Sequence, residues 1–368
     1  MSISREEAAE LPALRTRHVF LIMLDGLRWQ EVFGGADEAL INKENGVTHV
    51  EAVREAYWRE TPEARRAALM PFLWEVAVPR GQIYGNLLEG SDAQVTNPWR
   101  VSYPGYSETF CGYVNEAIRD NRRVMNPDVT VFEWLNGKPE FEGRVACFGT
   151  WDLYPYIINT ERSGLPVDNG MGPLTFGKSS EVIGLWNAVR AETPYRWSGS
   201  CFDSMLFRPA LEWVRLNTPR VVFLGLGETD EWAHEGNYEE YLRAARRADG
   251  YMRELWEYVQ ASPEYRDATS FVVLCDHGRG GDNPYKLAGL ESGEQKQWRD
   301  HNAKVVGAQQ IWVAIWGPDT PARGMVRGGE RVTQSQVAAT LAALLGQDYR
   351  AAEPRAGEAI KGALKSAK

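Results

Sequence analysis

The sequence has no Cys-x-x-Cys pair, no low-complexity tract and no apolar run of transmembrane length. Its four cysteines are widely scattered, which argues against a zinc ribbon and against a disulfide-rich secreted scaffold. Four reduced, mostly buried thiols are therefore expected. The amino terminus has no apolar signal segment. A cytoplasmic location without membrane contact is therefore the expectation for the chain as written, and a periplasmic or secreted one if it is a trimmed mature form.

Positive charge is also scarce. The chain has 41 Lys and Arg against 50 Asp and Glu, which gives a net charge of −9. This balance excludes the global basic field that would attract a nucleic acid polymer or an anionic membrane. An anionic substrate would need local help from metal ions or from a few well-placed cations.

The length of 368 residues and the apolar content of 43% are sufficient for a full hydrophobic core. The sequence contains neither an internal repeat nor a linker, so a single domain over residues 1–368 is predicted. Two stretches interrupt the core pattern, at about residues 37–62 and 152–200. The first is polar and charged, and the second is rich in Gly, Pro and aromatic residues. Both are predicted to be insertions that form a cap on the substrate side.

One strand is predicted to end in two side chains that can bind a metal. The apolar residues from Phe271 onward run directly into Asp276 and His277, and then into a glycine-rich turn. This pattern is typical of a buried parallel strand, and open α/β sheets bind ligands at the carboxyl edge of such strands. An α/β fold is therefore predicted, with a mostly parallel central sheet sandwiched by helices.

Two further apolar runs end in the same way. Residues 18–24 lead to Asp25, and residues 220–227 lead to Asp230 and His234, which lie four apart and would share one face of a helical turn. Each carboxylate taken alone could equally be a helix cap. Together with His301, however, three of the five histidines stand at these positions. Mixed Asp and His donors favour zinc, manganese or iron over calcium.

A hydroxyl-rich segment, Ser107-Glu108-Thr109, follows a stretch of Pro, Tyr and Gly. The pattern predicts a helix with Ser107 near its N-cap and Glu108 in its first turn. A hydroxyl at that position could meet a phosphate, because helix amino termini favour anions. The alternative is that Ser107 is an ordinary N-cap.

The combined order is an Asp after the first strand, a Ser or Thr at a helix start, Asp-x-x-x-His, Asp-His-Gly and a final His. This order resembles the alkaline phosphatase superfamily, which includes nucleotide pyrophosphatase/phosphodiesterases, cofactor-independent phosphoglycerate mutases and sulfatases. The resemblance extends from His18 to about Leu345. It implies an alkaline-phosphatase-like core with inserted loops and two divalent metal ions, zinc first and manganese second. The implied ligands are Asp230, His234 and His301 for one metal, and Asp25, Asp276 and His277 for the other.

The resemblance also implies a nucleophile. Gly-Tyr-Ser-Glu is similar to the Asn-Ser-Glu of the mutases, which makes Ser107 the first choice. Thr109 is the reserve, because it precedes Phe110 as the phosphodiesterase nucleophile precedes a Phe. The implied activity is hydrolysis of phosphate mono- or diesters of a small substrate through a phosphoseryl or phosphothreonyl intermediate.

Other branches of the superfamily fit less well. Sulfatases need a Cys or Ser in a C/S-x-P-x-R frame, which the residues from Cys111 onward do not satisfy. Mutases carry a long inserted domain, for which the roughly 120 residues between Ser107 and Asp230 leave too little room. A mutase-like phosphotransferase and a catalytically silent relative that binds a phosphorylated ligand remain as alternatives. Arg28 and Arg279 stand beside ligand positions and could contact the substrate, although surface positions are expected for both.

Overall fold

The computed structural model describes residues 14–281 and 297–365. Residues 1–13, 282–296 and 366–368 lie outside the described residues. The prediction that the amino terminus has no signal segment falls on the first of these ranges. The strands are β1 (His18–Leu24), β2 (Gly81–Tyr84), β3 (Ala93–Gln94), β4 (Val145–Gly149), β5 (Val167–Asp168), β6 (Val221–Leu226), β7 (Thr269–Leu274), β8 (Val313–Trp316), β9 (Gly324–Met325) and β10 (Val332–Thr333). The helices are α1 (Trp29–Gly34), α2 (Val50–Tyr57), α3 (Pro62–Leu69), α4 (Ser102–Cys111), α5 (Val131–Asn136), α6 (Tyr154–Ile157), α7 (Thr160–Ser163), α8 (Glu181–Glu192), α9 (Asp203–Asn217), α10 (Glu228–His234), α11 (Tyr238–Ala261) and α12 (Val337–Leu344).

An eight-stranded sheet forms the centre of the fold, in the order β5-β4-β6-β1-β7-β8-β2-β9. Every neighbouring pair is parallel except β7 with β8 and β2 with β8. The predicted α/β class with a mostly parallel sheet is therefore confirmed. Because β6, β1 and β7 run side by side in the same direction, their carboxyl ends meet at one edge.

The three central strands are buried along their whole length. Strands covered on both faces read as continuous apolar runs rather than as alternating ones, which is why their sequences stood out. The four cysteines are free and buried, as expected. Within residues 14–281 and 297–365, no helix is both long enough and apolar enough to cross a membrane.

The first predicted insertion, residues 37–62, consists mainly of α2 and short 3-10 turns. The second, residues 152–200, consists of loops and short helices that include α8. One detail differs from the expectation for the second stretch. Residues Val167 and Asp168 pair with β4 and extend the main sheet as its edge strand. Two residues carry too little periodicity to be recognised as a strand in the sequence.

Helix α4 begins at Ser102, five residues before the start predicted at Ser107. The prediction was wrong because Pro104 and Gly105 were interpreted as a turn. A proline in the first turn of a helix removes no intrahelical hydrogen bond, since the first N–H groups have no partner there. Ser107 therefore lies in the middle of the helix and is not its N-cap.

Candidate metal centre and active site

The carboxyl edge of the central strands collects the predicted ligands. Asp25 follows β1 directly, and Asp276 and His277 follow β7. Strand β6 is followed by Gly227 and then by α10, which carries Asp230 and His234. His301 comes from a loop after a 3-10 turn at Gln297–Arg299. The structure thus brings all six predicted ligands to one place.

The first group consists of Asp230, His234 and His301. Nε2 of His234 lies 3.2 Å from Oδ2 of Asp230 and 3.0 Å from Nε2 of His301. Nε2 of His301 lies 3.7 Å from Oδ1 of Asp230. Two imidazole nitrogens and a carboxylate therefore converge, which is the arrangement that a divalent cation requires.

The second group consists of Asp25, Asp276 and His277. Nε2 of His277 lies 3.2 Å from Oδ2 of Asp276 and 3.5 Å from Oδ1 of Asp25. One ligand atom from each of these three residues lies within 4.8 Å of the others. The same holds for Asp230, His277 and His301, so His277 stands between the two groups.

Hydrogen bonds fix the orientation of two histidine rings. Nδ1 of His301 lies 3.0 Å from the carbonyl oxygen of Arg100, and Nδ1 of His277 lies 3.0 Å from that of Gly278. A carbonyl can only accept, so each Nδ1 carries the proton and each Nε2 presents a lone pair to the cluster. Such contacts are typical of histidines that bind metal ions.

The buried carboxylates of the second group are each half satisfied. Oδ2 of Asp25 accepts from the Tyr106 hydroxyl at 2.9 Å, and Oδ1 of Asp276 accepts from the Gly26 N–H at 3.1 Å. The other oxygen of each, Oδ1 of Asp25 and Oδ2 of Asp276, is buried without a hydrogen-bond partner. Leaving such atoms unpaired is costly, so this pair fits a site that holds a cation.

Electrostatics point to the same conclusion. Burial raises the pKa of Asp25 well above its usual range, and the charges of Asp276 and Asp230 raise it further. Burial, together with the charge of Asp230, raises the pKa of Asp276 to about 7. Burial lowers the pKa of His277 well below its usual value and lowers that of His301 to about 4. Crowded carboxylates beside neutral imidazoles form a site that a divalent cation would stabilise.

Asp230 differs from the other two carboxylates because it has a cationic partner. Burial disfavours its ionised form, but the charges of Arg279 and His234 outweigh this effect and hold the pKa of Asp230 well below its usual range. The guanidinium of Arg279 also donates to the backbone oxygens of Asp230 and Arg299. Asp230 is therefore ionised without any metal.

Arg28 and Arg279 are both buried, so the expectation of surface positions was wrong. Arg28 forms an ion pair with the buried Glu31 and donates to the carbonyl oxygen of Gly280 at 3.1 Å. Both guanidinium groups are engaged by neighbouring residues. Neither lines the cavity beside the candidate ligands.

That cavity has a volume of about 200 Å³, and its lining includes Asp25, Ser102, Asp230, His234 and His301. Oγ of Ser102 lies 3.4 Å from Nε2 of His277. Ser102 is the first residue of α4, where unpaired backbone N–H groups favour an anion. The structure therefore presents this hydroxyl beside both ligand groups. The proline two positions later, which is typical of a first helical turn, is the signal that could have identified it.

The two hydroxyls favoured from the sequence lie elsewhere on α4. Oγ of Ser107 accepts from Nδ2 of Asn126 at 3.3 Å, and Oγ1 of Thr109 donates to the carbonyl oxygen of Gly105 at 3.0 Å. Their exposed fractions are 2% and 0%. Neither residue lines the cavity, and both hydroxyls are engaged within the protein.

Glu108, the third residue of the predicted motif, has a structural role. Its buried carboxylate accepts from the backbone N–H groups of Thr96 and Asn97 and from both of their side chains, at 2.6–3.1 Å. These bonds hold the loop that leads into Ser102. Burial raises the pKa of Glu108, and the bonds from Thr96 and Asn97 counteract that rise.

Comparison with known proteins gives a result for structure but not for sequence. No family model and no curated protein matches the chain. Among solved structures, a protein in the alkaline phosphatase superfamily from Vibrio parahaemolyticus superposes with a TM-score of 0.50 at 14% identity, over 93% of this chain and 72% of that one. This chain has the alkaline phosphatase superfamily fold.

Two further solved structures share this superfamily fold. The lipoteichoic acid synthase LtaP from Listeria monocytogenes matches with a TM-score of 0.57 at 12% identity, over 92% of this chain and 74% of that one. A mutant of alkaline phosphatase PafA matches with a TM-score of 0.56 at 8% identity, over 96% of this chain and 100% of that one. The superfamily resemblance expected from the sequence is thus confirmed at the level of the fold.

Proposed function

We propose that this protein is a metal-dependent hydrolase of phosphate esters that works through a covalent phosphoserine at Ser102. The observation that carries the proposal is the position of the Ser102 hydroxyl, 3.4 Å from Nε2 of His277. There it lies at a helix amino terminus and beside two groups of Asp and His ligands. The expected substrate is a small phosphate mono- or diester.

Asp230, His234 and His301 would hold one divalent ion, and Asp25, Asp276 and His277 the second. Bound there, such ions would lower the pKa of the serine hydroxyl and of a water molecule, and would stabilise negative charge on the phosphoryl oxygens. The donor set of carboxylates and imidazoles fits zinc first and manganese second.

The residues of this chain would act as follows. The amino terminus of α4 would orient the phosphoryl group through its backbone N–H groups. Asn121, which lines the cavity, has its Oδ1 occupied by the N–H of Tyr103 at 2.9 Å, so its amide nitrogen is left to donate to a phosphoryl oxygen.

The reaction would have two steps. Oγ of Ser102 would lose its proton to solvent and attack phosphorus, the bond from phosphorus to the ester oxygen would break, and the departing alcohol would take up a proton. Water would then attack the phosphorus and the bond to Oγ would break, which restores the Ser102 hydroxyl and releases phosphate from a monoester or a phosphate monoester from a diester. Ser102 replaces Ser107 and Thr109 in this proposal because it alone of the three reaches the cavity.

Phosphate esters are favoured over sulfate esters by one residue. The sulfatase frame C/S-x-P-x-R could begin at Ser102, since Pro104 has the required spacing. The position of its arginine is occupied by Tyr106, which donates its hydroxyl to Asp25.

The test combines metal analysis with chromogenic substrates. Metal-free protein is reconstituted with zinc or manganese and assayed with p-nitrophenyl phosphate, bis-p-nitrophenyl phosphate and p-nitrophenyl sulfate. Two equivalents of metal and turnover of a phosphate ester, with the turnover and one metal equivalent lost in Asp276→Ala, support the proposal. Protein that binds metal and phosphate but turns over none of the esters would instead be a silent binding relative.

A further inference from the structure

The cavity that contains Ser102 has a second wall that the proposed chemistry does not use. We call it the far wall, and it consists of Thr150, Trp151, Ser200, Gly227 and Glu231. Thr150 and Trp151 follow β4, whose carboxyl end lies beside that of β6. Gly227 and Glu231 lie at the start of α10, next to the candidate ligand Asp230.

Thr150 supplies an unsatisfied polar atom. The residue is only 1% exposed, and its Oγ1 is buried without a hydrogen-bond partner. A buried hydroxyl left unpaired destabilises the protein, so its retention at a cavity wall points to a ligand that completes it.

Gly227 keeps the space in front of this hydroxyl open. A Cβ at this position would lie 2.7 Å from Oγ1 of Thr150 and 3.9 Å from Oγ of Ser200. The φ and ψ angles of Gly227, −102° and −10°, are accessible to any residue. Conformation therefore does not require a glycine here, whereas a side chain would fill the space between the two hydroxyls.

Ser200 and Glu231 supply acceptors. Oγ of Ser200 donates to the carbonyl oxygen of Thr150 at 2.9 Å, which leaves its lone pairs available. Glu231 is half-buried, and within the described ranges its carboxylate has no Lys, Arg or His within ion-pair distance. The half-buried indole of Trp151 adds a flat apolar surface beside these groups.

The character of the far wall excludes several kinds of occupant. No Lys or Arg lines the cavity, among the residues that the structure describes, so a second anionic group would gain no cationic partner. An alkyl group would leave Thr150 and Glu231 without hydrogen bonds. The volume of about 200 Å³ lies below the range of about 300–1,000 Å³ typical of drug-sized ligands, so the part of a ligand that this cavity encloses is small.

We infer that the far wall binds the alcohol part of the phosphate ester and that this alcohol is a small polyol. The inference rests on the proposed function and adds a substrate class to it. Adjacent hydroxyls of a polyol donate to Glu231 and Ser200 and accept from Thr150, while its C–H face packs on Trp151. The hydroxyl groups of Thr150 and Ser200 and the carboxylate of Glu231 then all have partners.

The first experiment compares two substrates of equal chain length. Glycerol 1-phosphate and propyl phosphate differ only in two hydroxyl groups. We expect kcat/KM of the metal-loaded protein to favour the glycerol ester by at least about tenfold, the effect of one or two hydrogen bonds to a charged or buried partner. In Thr150→Val and in Glu231→Gln this ratio falls toward one. In the control Thr193→Val, at the end of α8 and outside this cavity, the ratio stays at the wild-type value.

The second experiment measures binding without turnover. The Ser102→Ala variant, loaded with metal, is titrated calorimetrically with both phosphates, and the same preference in Kd is expected. Tighter binding of the glycerol ester, combined with no ester hydrolysis by the unaltered metal-loaded protein, would uphold the polyol subsite and reject the proposed function. Turnover of both esters with equal kcat/KM, and equal or unmeasurable binding of both, would reject the subsite and leave the hydrolase standing. O-phosphoethanolamine is the third ester in both experiments. If it is preferred over glycerol 1-phosphate and propyl phosphate, the far wall binds a cationic alcohol and the inference is overturned.

Discussion

Nδ1 of His301 donates to the carbonyl oxygen of Arg100 at 3.0 Å, and Arg100 has a φ of 55°. A positive φ is uncommon for a residue other than glycine and disfavours branched side chains most. The backbone conformation at Arg100 thus sets the direction of the carbonyl that orients a candidate metal ligand. Arg100 also lies two residues before Ser102. The positions of the candidate ligand His301 and of the candidate nucleophile Ser102 therefore both depend on the backbone at Arg100.

This relationship predicts different effects for two substitutions that both remove the guanidinium. Arg100→Gly keeps the positive φ accessible, so metal affinity should stay near the wild-type value. Arg100→Val disfavours that φ and should turn the carbonyl away from His301, which weakens metal binding by about 10–100-fold, the usual effect of losing such a partner. Titration of both metal-free variants with zinc measures the difference. Equal affinities of the two variants would show that the Arg100 carbonyl does not orient His301.

The nucleophile is tested by three substitutions on one helix. Ser102→Ala should lower kcat for p-nitrophenyl phosphate by at least about 10³-fold, because it removes the attacking group. Ser107→Ala and Thr109→Val should retain kcat, since both side chains are buried away from the cavity. Trapping of radiolabelled phosphate on the protein at low pH provides the second measurement. Label on Ser107→Ala but not on Ser102→Ala is expected, and the reverse pattern would restore the sequence-based assignment.

Metal affinity should depend on pH through Asp276. Its pKa of about 7 in the metal-free protein lies above the usual range, so at lower pH a proton occupies this ligand and must leave when metal binds. Affinity should therefore change little above about pH 7.5 and fall as the pH drops below 7, approaching about tenfold per pH unit for each proton that metal binding releases. Protonation of His301 adds to this fall only near its own pKa of about 4. Metal titrations across this range test the prediction, and a constant affinity down to about pH 5.5 would contradict it.

The ion pair of Arg279 with Asp230 should matter most without metal. Arg279→Met leaves a buried carboxylate without its cation, which typically costs about 3–5 kcal/mol. A bound divalent ion would replace that positive charge, so the loss of stability should be smaller in the metal-loaded protein. The control is Arg190→Met, which breaks the buried pair with Asp168 outside the cavity. Urea unfolding of both variants with and without metal should show metal dependence for Arg279 alone. Equal dependence in both would argue against a cation at Asp230.

The convergence of most candidate ligands could be predicted from the sequence, for a physical reason. Asp25, Asp276 and His277 directly follow strands whose unbroken apolar runs could be recognised, and the parallel order of those strands brings their ends together. The spacing of Asp230 and His234 indicated a shared helical face. His301 has no such local signal, and only its place in the resemblance suggested it.

Other features depended on contacts that a linear pattern does not contain. The place of Ser102 at the cavity was not predicted because Pro104 and Gly105 favour both a turn and the first turn of a helix. Arg279 is buried because Asp230 compensates its charge, and these two residues are distant in the sequence. The space in front of Thr150 exists because a glycine from a different strand end faces it. These contacts form between residues that are distant in the sequence and meet only when the sheet assembles, so the hydrophobic periodicity of the sequence does not predict them.

Helix α4 packs directly on the strand end that carries Asp276. A Cβ on Gly105 would lie 2.4 Å from the carbonyl oxygen of Asp276, and Tyr106 in the next position bonds to Asp25. The start of the helix, β1 and β7 therefore belong to one cooperative unit with no room for partial opening between them. Amide hydrogens at Tyr106 and along β7 should exchange with solvent only through global unfolding. On heating, the reactive edge and the sheet would then be lost at one common midpoint.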